Sequence, residues 1–207
     1  MSVWVISRAA GLSALWLLAA SAAAGHAARS LAAAASGPAN GRGRWLRLMR
    51  YVHIAAAGSG WVAALVHAWL LLYDPWLPFS WKALWLPGAA PYRPLWTGLG
   101  TLSLYGWGLI LISFDGARSR WMPRFHRIHA MAPLVLGLAA FHTAGAGSDM
   151  HLLSVRVGAG LALALAGAAL VERRLRPRTR PSEARPGNCG AGWTGEGASG
   201  RGAGAGG

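Results

Sequence analysis

The sequence predicts an all-α membrane protein, a bundle of about five transmembrane helices. Three observations carry this. Of 207 residues, 54% are hydrophobic and only 13% charged, against about 25% charged in an ordinary soluble domain. Five apolar runs, near 4–25, 51–73, 94–114, 128–145 and 152–171, approach the roughly 20 residues a helix needs to cross a bilayer. The net charge of +14 is carried mostly by arginines that fall between these runs. That placement argues against a nucleic-acid partner and for loops at a lipid surface. Backbone groups in lipid must be satisfied within their own segment, so the runs are helices rather than strands.

The first run, "MSVWVISRAAGLSALWLLAASAAAGHA", has the basic start, apolar centre and small-residue end of a signal peptide. The connection after it holds Arg29, Arg42, Arg44, Arg47 and Arg50 and no acid. Such a loop resists translocation, so the run is read as a retained helix. The 115–128 connection holds Arg118, Arg120, Arg124 and Arg127 against Asp115, and the chain from residue 172 holds seven arginines against three glutamates. The connections at 74–93 and 146–151 are poor in positive charge. The positive-inside rule therefore sets the N-terminus outside and the C-terminus inside, as an odd number of helices requires. Trp69, Tyr73, Trp76, Trp81, Trp85, Tyr92 and Trp96 crowd the second outer connection and read as an interfacial belt. Residues 1–175 form the membrane domain. The Gly-, Pro- and Arg-rich stretch 176–207 has almost nothing to bury and is expected to be a disordered cytoplasmic tail. Its Cys189 is the chain's single cysteine, so no internal disulfide or CxxC site exists. The six acids are scattered and no Ser-His-Asp set is visible.

Chemistry, if present, lies with the histidines. His26 and His151 sit at segment ends and His126 in a basic loop. His53, His67, His129 and His142 fall at or inside apolar helices, where ionisable groups are costly and usually functional. His53 follows Arg50 and His129 follows Arg127, so both lie near the inner surface. His67 is fourteen residues beyond His53, and His142 is thirteen beyond His129; these spacings rise about 21 and 20 Å along a helix. The four imidazoles make two pairs at two matching depths. Two imidazoles on facing helices can ligate a haem iron from both sides. Small residues in "IAAAGSG", with Gly58 and Gly60, leave room for a flat macrocycle, and equally let helices approach closely. Zinc or copper would need its ligands clustered around one ion. Helical phase raises an objection. Fourteen residues return to the same face, whereas thirteen place His129 and His142 about 140° apart on an ideal helix. Pro133 lies between them and is able to bend or rewind it. Pairing His126 with His142, sixteen apart, is out of phase too.

At this point the chain resembles the ferric-reductase-like transmembrane domain, the haem-bearing membrane part of ferric reductases and NADPH oxidases, in a short bacterial form without a flavin domain. The resemblance covers about residues 5–172. It rests on "RAAGLSALWLL", "HIAAAGSGWVAALVHAWLLLYD" with Asp74, "PYRPLWTGLGTLSLYGWGLILIS" and "FHRIHAMAPLVLGLAAFHTAGAGSD". Phe125 and His126 stand where the family has tryptophan and arginine. The resemblance implies b-type haems and one-electron transfer across the membrane. It selects His129 over His126, with His53 and His129 on an inner haem iron and His67 and His142 on an outer one. It also implies a separate electron donor, a flavoprotein reductase or a membrane quinol, and an outer acceptor that the residues do not identify. Relatives often have six helices. The expected function is a membrane b-type cytochrome of the cell membrane. The rivals are a haem-holding subunit or sensor without its own turnover, a histidine-based metal or proton transporter, and a purely structural membrane protein. Arg8, Arg50, Arg127 and Arg156 are candidate partners for haem propionates, or for lipid headgroups.

Overall fold

A computed structural model describes residues 3–33, 42–77, 79–116, 122–147 and 149–175. They form α1 (Val3–Ala33), α2 (Arg42–Leu70), a 3-10 turn (Leu71–Tyr73), α3 (Trp81–Trp85), α4 (Pro94–Gly116), α5 (Met122–His129), α6 (Ala132–Ala146) and α7 (Leu153–Leu175). No strand occurs among the described residues. Five helical stretches are long and apolar enough to cross a membrane: Val3–Ala33, Arg42–Tyr73, Pro94–Phe114, Arg124–Ala146 and Leu153–Leu175. The fold is that of a multi-pass, all-helical membrane protein. The stretch 176–207 with Cys189, and Arg118 and Arg120, lie outside the described residues.

The bundle is packed with small side chains. Leu15 of α1, Leu136 and Ala140 of α6, and Ala162 and Ala166 of α7 form one cluster, with Ala140 and Ala162 fully buried. Alanine at these contacts lets helix backbones approach closely, the main source of attraction between helices in lipid. Polar ties add to it. Ser103 donates to the Val135 carbonyl at 3.0 Å, and the Trp61 indole to the Leu104 carbonyl at 3.3 Å. Large apolar residues face outward instead, with Ile112, Leu153 and Leu95 each about 70% exposed. Such a surface suits acyl chains rather than water.

Two local features differ from the sequence reading. The fourth run is not one helix. It breaks at Ala130–Met131 between α5 and α6. Pro133 occupies the first turn of α6 and has no N–H to give the His129 carbonyl. The chain closes instead with a tight bond from Met131 N to Ile128 O, 2.9 Å, and Arg173 of α7 donates to the Ala130 carbonyl in the turn.

The second outer connection is more than an aromatic belt. Asp74, 7% exposed, accepts from the Trp76 and Leu77 amides at 2.9 and 3.3 Å. This Asx turn starts a folded cap. Ser80 then caps α3 by accepting from Ala83 N at 3.1 Å. Phe79, Ala83 and Ala90 are buried against Leu71, Leu77 and Tyr92. Trp76 is 87% exposed and Trp69, Tyr73, Trp81 and Trp85 are also exposed, as a belt requires. Trp96 instead packs inward on Gly145, where any Cβ would overlap its ring.

Candidate haem sites

α1 and α2 lie antiparallel, so Ser7 meets His67 at one level and Ser21 meets His53 at the other. α5 and α6 bring the other two histidines to the same levels. The His53 and His129 rings stand 5.9 Å apart between centroids, and His67 and His142 stand 6.3 Å apart. The pairs are those expected from depth. The break before Pro133 removes the phase objection, since His129 and His142 sit on different helices.

The ring spacing is informative. With metal–nitrogen bonds of about 2.0–2.1 Å, two imidazoles on opposite sides of one ion have centroids about 6.4 Å apart, and about 5 Å apart at tetrahedral corners. The His67–His142 distance lies near the first value, and the His53–His129 distance lies between the two.

Three of the four rings are held from behind at Nδ1. His53 Nδ1 donates to the Ser21 carbonyl at 2.8 Å, His67 Nδ1 to the Ser7 carbonyl at 2.8 Å, and His142 Nδ1 to the Trp96 carbonyl at 2.9 Å. A carbonyl oxygen at this distance requires the proton on Nδ1. That leaves the Nε2 lone pair free to ligate. The same backing orients ligand histidines in metal sites. Three glycines make the approach possible. A Cβ on Gly11 would stand 2.9 Å from His67 Nδ1, one on Gly25 3.1 Å from His53 Nδ1, and one on Gly100 2.6 Å from His142 Nδ1. His129 is the exception. Its buried Nδ1 has no hydrogen-bond partner among the described residues, and its ring stacks on Phe125 at 5.3 Å.

A cavity of about 670 Å³ is lined by His67, His142, Gly11, Gly100 and Trp107 among others. Its size falls in the range of cofactor pockets, roughly 300–1,000 Å³. Arg8 and Asp149 also line it and form an ion pair with each other, while Arg8 lies over the Trp4 ring at 3.9 Å. Arg8 is therefore already engaged.

Family models, curated proteins and solved structures give no match to this chain.

The donor set offers two facing imidazoles at each level rather than four ligands at one point. No group of three or more His, Cys, Asp or Glu side chains converges among the described residues, whereas structural zinc is four-coordinate. His26 and His126 have other ring neighbours. His26 sits with Arg29 and Glu172, its Nδ1 3.0 Å from the Arg29 guanidinium. His126 lies beside Phe125, ring centroids 5.7 Å apart. Gly60 differs from expectation. It makes no room for a macrocycle, because the Trp107 indole fills the space, 2.7 Å from a built Cβ. Gly58 faces open space.

Sequence reasoning paired the four histidines as the bundle brings them together and missed what backs three of them. The signal was present. "SRAAG" at 7–11 and "SAAAG" at 21–25 repeat a Ser-x3-Gly unit fourteen residues apart, the spacing of His53 and His67.

Proposed function

We propose that this protein is a b-type membrane cytochrome that carries electrons across the cell membrane through two bis-histidine haems. The observation that supports it most is the pair of imidazole pairs at two levels, 5.9 and 6.3 Å between centroids, with Nδ1 anchored on three of the four rings. His53 and His129 hold the inner haem, His67 and His142 the outer. Haem, when bound, supplies reversible one-electron chemistry. The chain does the rest. The Ser21, Ser7 and Trp96 carbonyls fix ring orientation and keep the proton on Nδ1. The alanine- and leucine-rich walls exclude water and lower the local dielectric. The arginines near His53 and His129, such as Arg50 and Arg127, support a cytoplasmic side for that level under the positive-inside rule. A separate flavoprotein or a membrane quinol would supply electrons on the inner side, and an external acceptor would take them on the outer.

The test is the reduced-minus-oxidised visible spectrum of the purified protein with a haem count per chain, beside alanine variants of the four histidines. Two b-type haems are expected, with one lost for each broken pair. Absence of haem from protein made with haem in excess would refute the reading. Metal-dependent flux in vesicles by such haem-free protein would favour a transporter instead.

A further inference from the structure

We infer that the repeated Ser-x3-Gly unit of α1 is a two-station orienting rail, in which Ser7 and Gly11 position His67 while Ser21 and Gly25 position His53. The inference rests on the cytochrome reading for its haems, but its geometry stands separately. At both stations the contacts are the same. The serine carbonyl accepts from Nδ1 at 2.8 Å. The serine hydroxyl lies 3.1 Å from His67 Nδ1 and 3.0 Å from His53 Nδ1. That hydroxyl also donates to the carbonyl of the same histidine, at 3.1 and 2.9 Å.

The proton bookkeeping at each station has one solution. The hydroxyl proton goes to the histidine carbonyl, so its oxygen can only accept from Nδ1–H. Two acceptors then face Nδ1, and the tautomer with the proton on Nε2 would set lone pairs against lone pairs. Ser7 and Ser21 are both buried, so water does not relieve that repulsion. Four residues on, one helical turn, Gly11 and Gly25 leave the space the ring occupies. α4 repeats the device once, with the Trp96 carbonyl and Gly100 behind His142. The rail therefore serves each haem through a different glycine. Gly11 and Ser7 are positioning residues for the outer site only, and Gly25 and Ser21 for the inner site only.

Gly11→Ala, Gly25→Ala, Ser7→Ala and Ser21→Ala, with Gly167→Ala of α7 as the control, where a Cβ meets no described atom within 4 Å, separate this from a general packing role. Electron paramagnetic resonance of the oxidised full-length protein reads each low-spin haem, assigned with the histidine variants. Gly11→Ala should lose or shift the outer signal alone, and Gly25→Ala the inner alone. Ser7→Ala and Ser21→Ala should retain haem and shift one signal each, since the carbonyl remains. Gly167→Ala should change neither. Loss of both signals in any one glycine variant that unfolds at the wild-type temperature would overturn the proposal, as would unchanged spectra in Gly11→Ala and Gly25→Ala. Nitrogen-15 magnetic resonance of the histidine rings gives a readout that needs no haem. His53 and His67 should be protonated at Nδ1 and should lose that state singly, in Gly25→Ala and Gly11→Ala. Rings protonated at Nε2 would refute the rail. Should the wild-type protein hold no haem, the cytochrome reading falls, and this nitrogen spectrum decides the rail by itself.

Discussion

Gly58 and Gly60 lie two residues apart on one helix, yet alanine should act on them with opposite sign. A Cβ at Gly58 meets nothing within 4 Å. The substitution there gains helix propensity, up to about 1 kcal/mol. A Cβ at Gly60 stands 2.7 Å from one Trp107 ring carbon, 3.0 Å from another, and 3.0 Å from Leu17 Cβ. Trp107 is 5% exposed, and the space open to its ring is the cavity it lines beside His67 and His142. Leu17 Cβ is fixed to the α1 backbone and cannot rotate away. Overpacking of this kind costs about 1–3 kcal/mol, more than the propensity gain returns. The two variants should differ by about 2 kcal/mol, on the order of 30-fold in the folded-to-unfolded ratio. Unfolding in mixed dodecylmaltoside and SDS micelles, followed by tryptophan fluorescence, measures the difference. Gly60→Ala as stable as Gly58→Ala would show that the α1–α2–α4 packing around Trp107 is not as described.

Other outcomes follow from the same geometry. Gly100→Ala should remove the outer haem and spare the inner, because its Cβ would stand 2.6 Å from His142 Nδ1; a haem count of one per chain checks this. On the cytochrome reading, the inner haem should dissociate first in a guanidinium titration, since His129 Nδ1 has no hydrogen-bond partner among the described residues while both outer rings are anchored; visible spectra of single-pair variants assign the order. Asp149→Asn should destabilise by about 1–3 kcal/mol, between the limits for exposed and buried ion pairs, because the side chains of Arg8 and Asp149 are only 22% and 14% exposed. Asp74→Ala should cost about 1–2 kcal/mol by freeing the Trp76 and Leu77 amides; thermal unfolding tests both.

The sequence carried the five spans because hydropathy needs only composition and length, and the spans Arg42–Tyr73 and Pro94–Phe114 end within a few residues of the apolar runs except where arginines extend α2. It carried the histidine pairing because depth follows from rise per residue. It did not carry the cap formed by Asp74, Ser80 and Phe79, because an interfacial belt and a small folded plug share the same aromatic composition. The backing of the histidines was in plain view as "SRAAG" and "SAAAG". Its meaning needs α1 and α2 placed antiparallel with Ser7 opposite His67, and no single-helix pattern supplies that register. Gly60 shows the same limit. A glycine reads as room, and only the neighbouring helix decides whether a ring already fills it.

The break between α5 and α6 is the step on which the inner site depends. On a continuous helix, thirteen residues leave His129 and His142 about 140° apart, so one of them would face away from α2. Two features hold the break open. Pro133 denies the His129 carbonyl its donor, and Arg173 holds the Ala130 carbonyl from α7. Replacing Pro133 by Ala restores the donor, and replacing Arg173 by Leu removes the competing hold. The double variant should extend α6 back through α5. Val135, Leu136 and Ala140 are buried in the bundle, so α6 stays and α5 rotates. His129 then leaves His53, while His142 stays with His67. The expected result is loss of the inner haem with the outer retained, and a weaker loss in Pro133→Ala alone, where Arg173 still holds the turn. Retention of both haems by the double variant would refute the role given to the break. Loss of the outer haem first would show that α6, and not α5, is the helix free to turn.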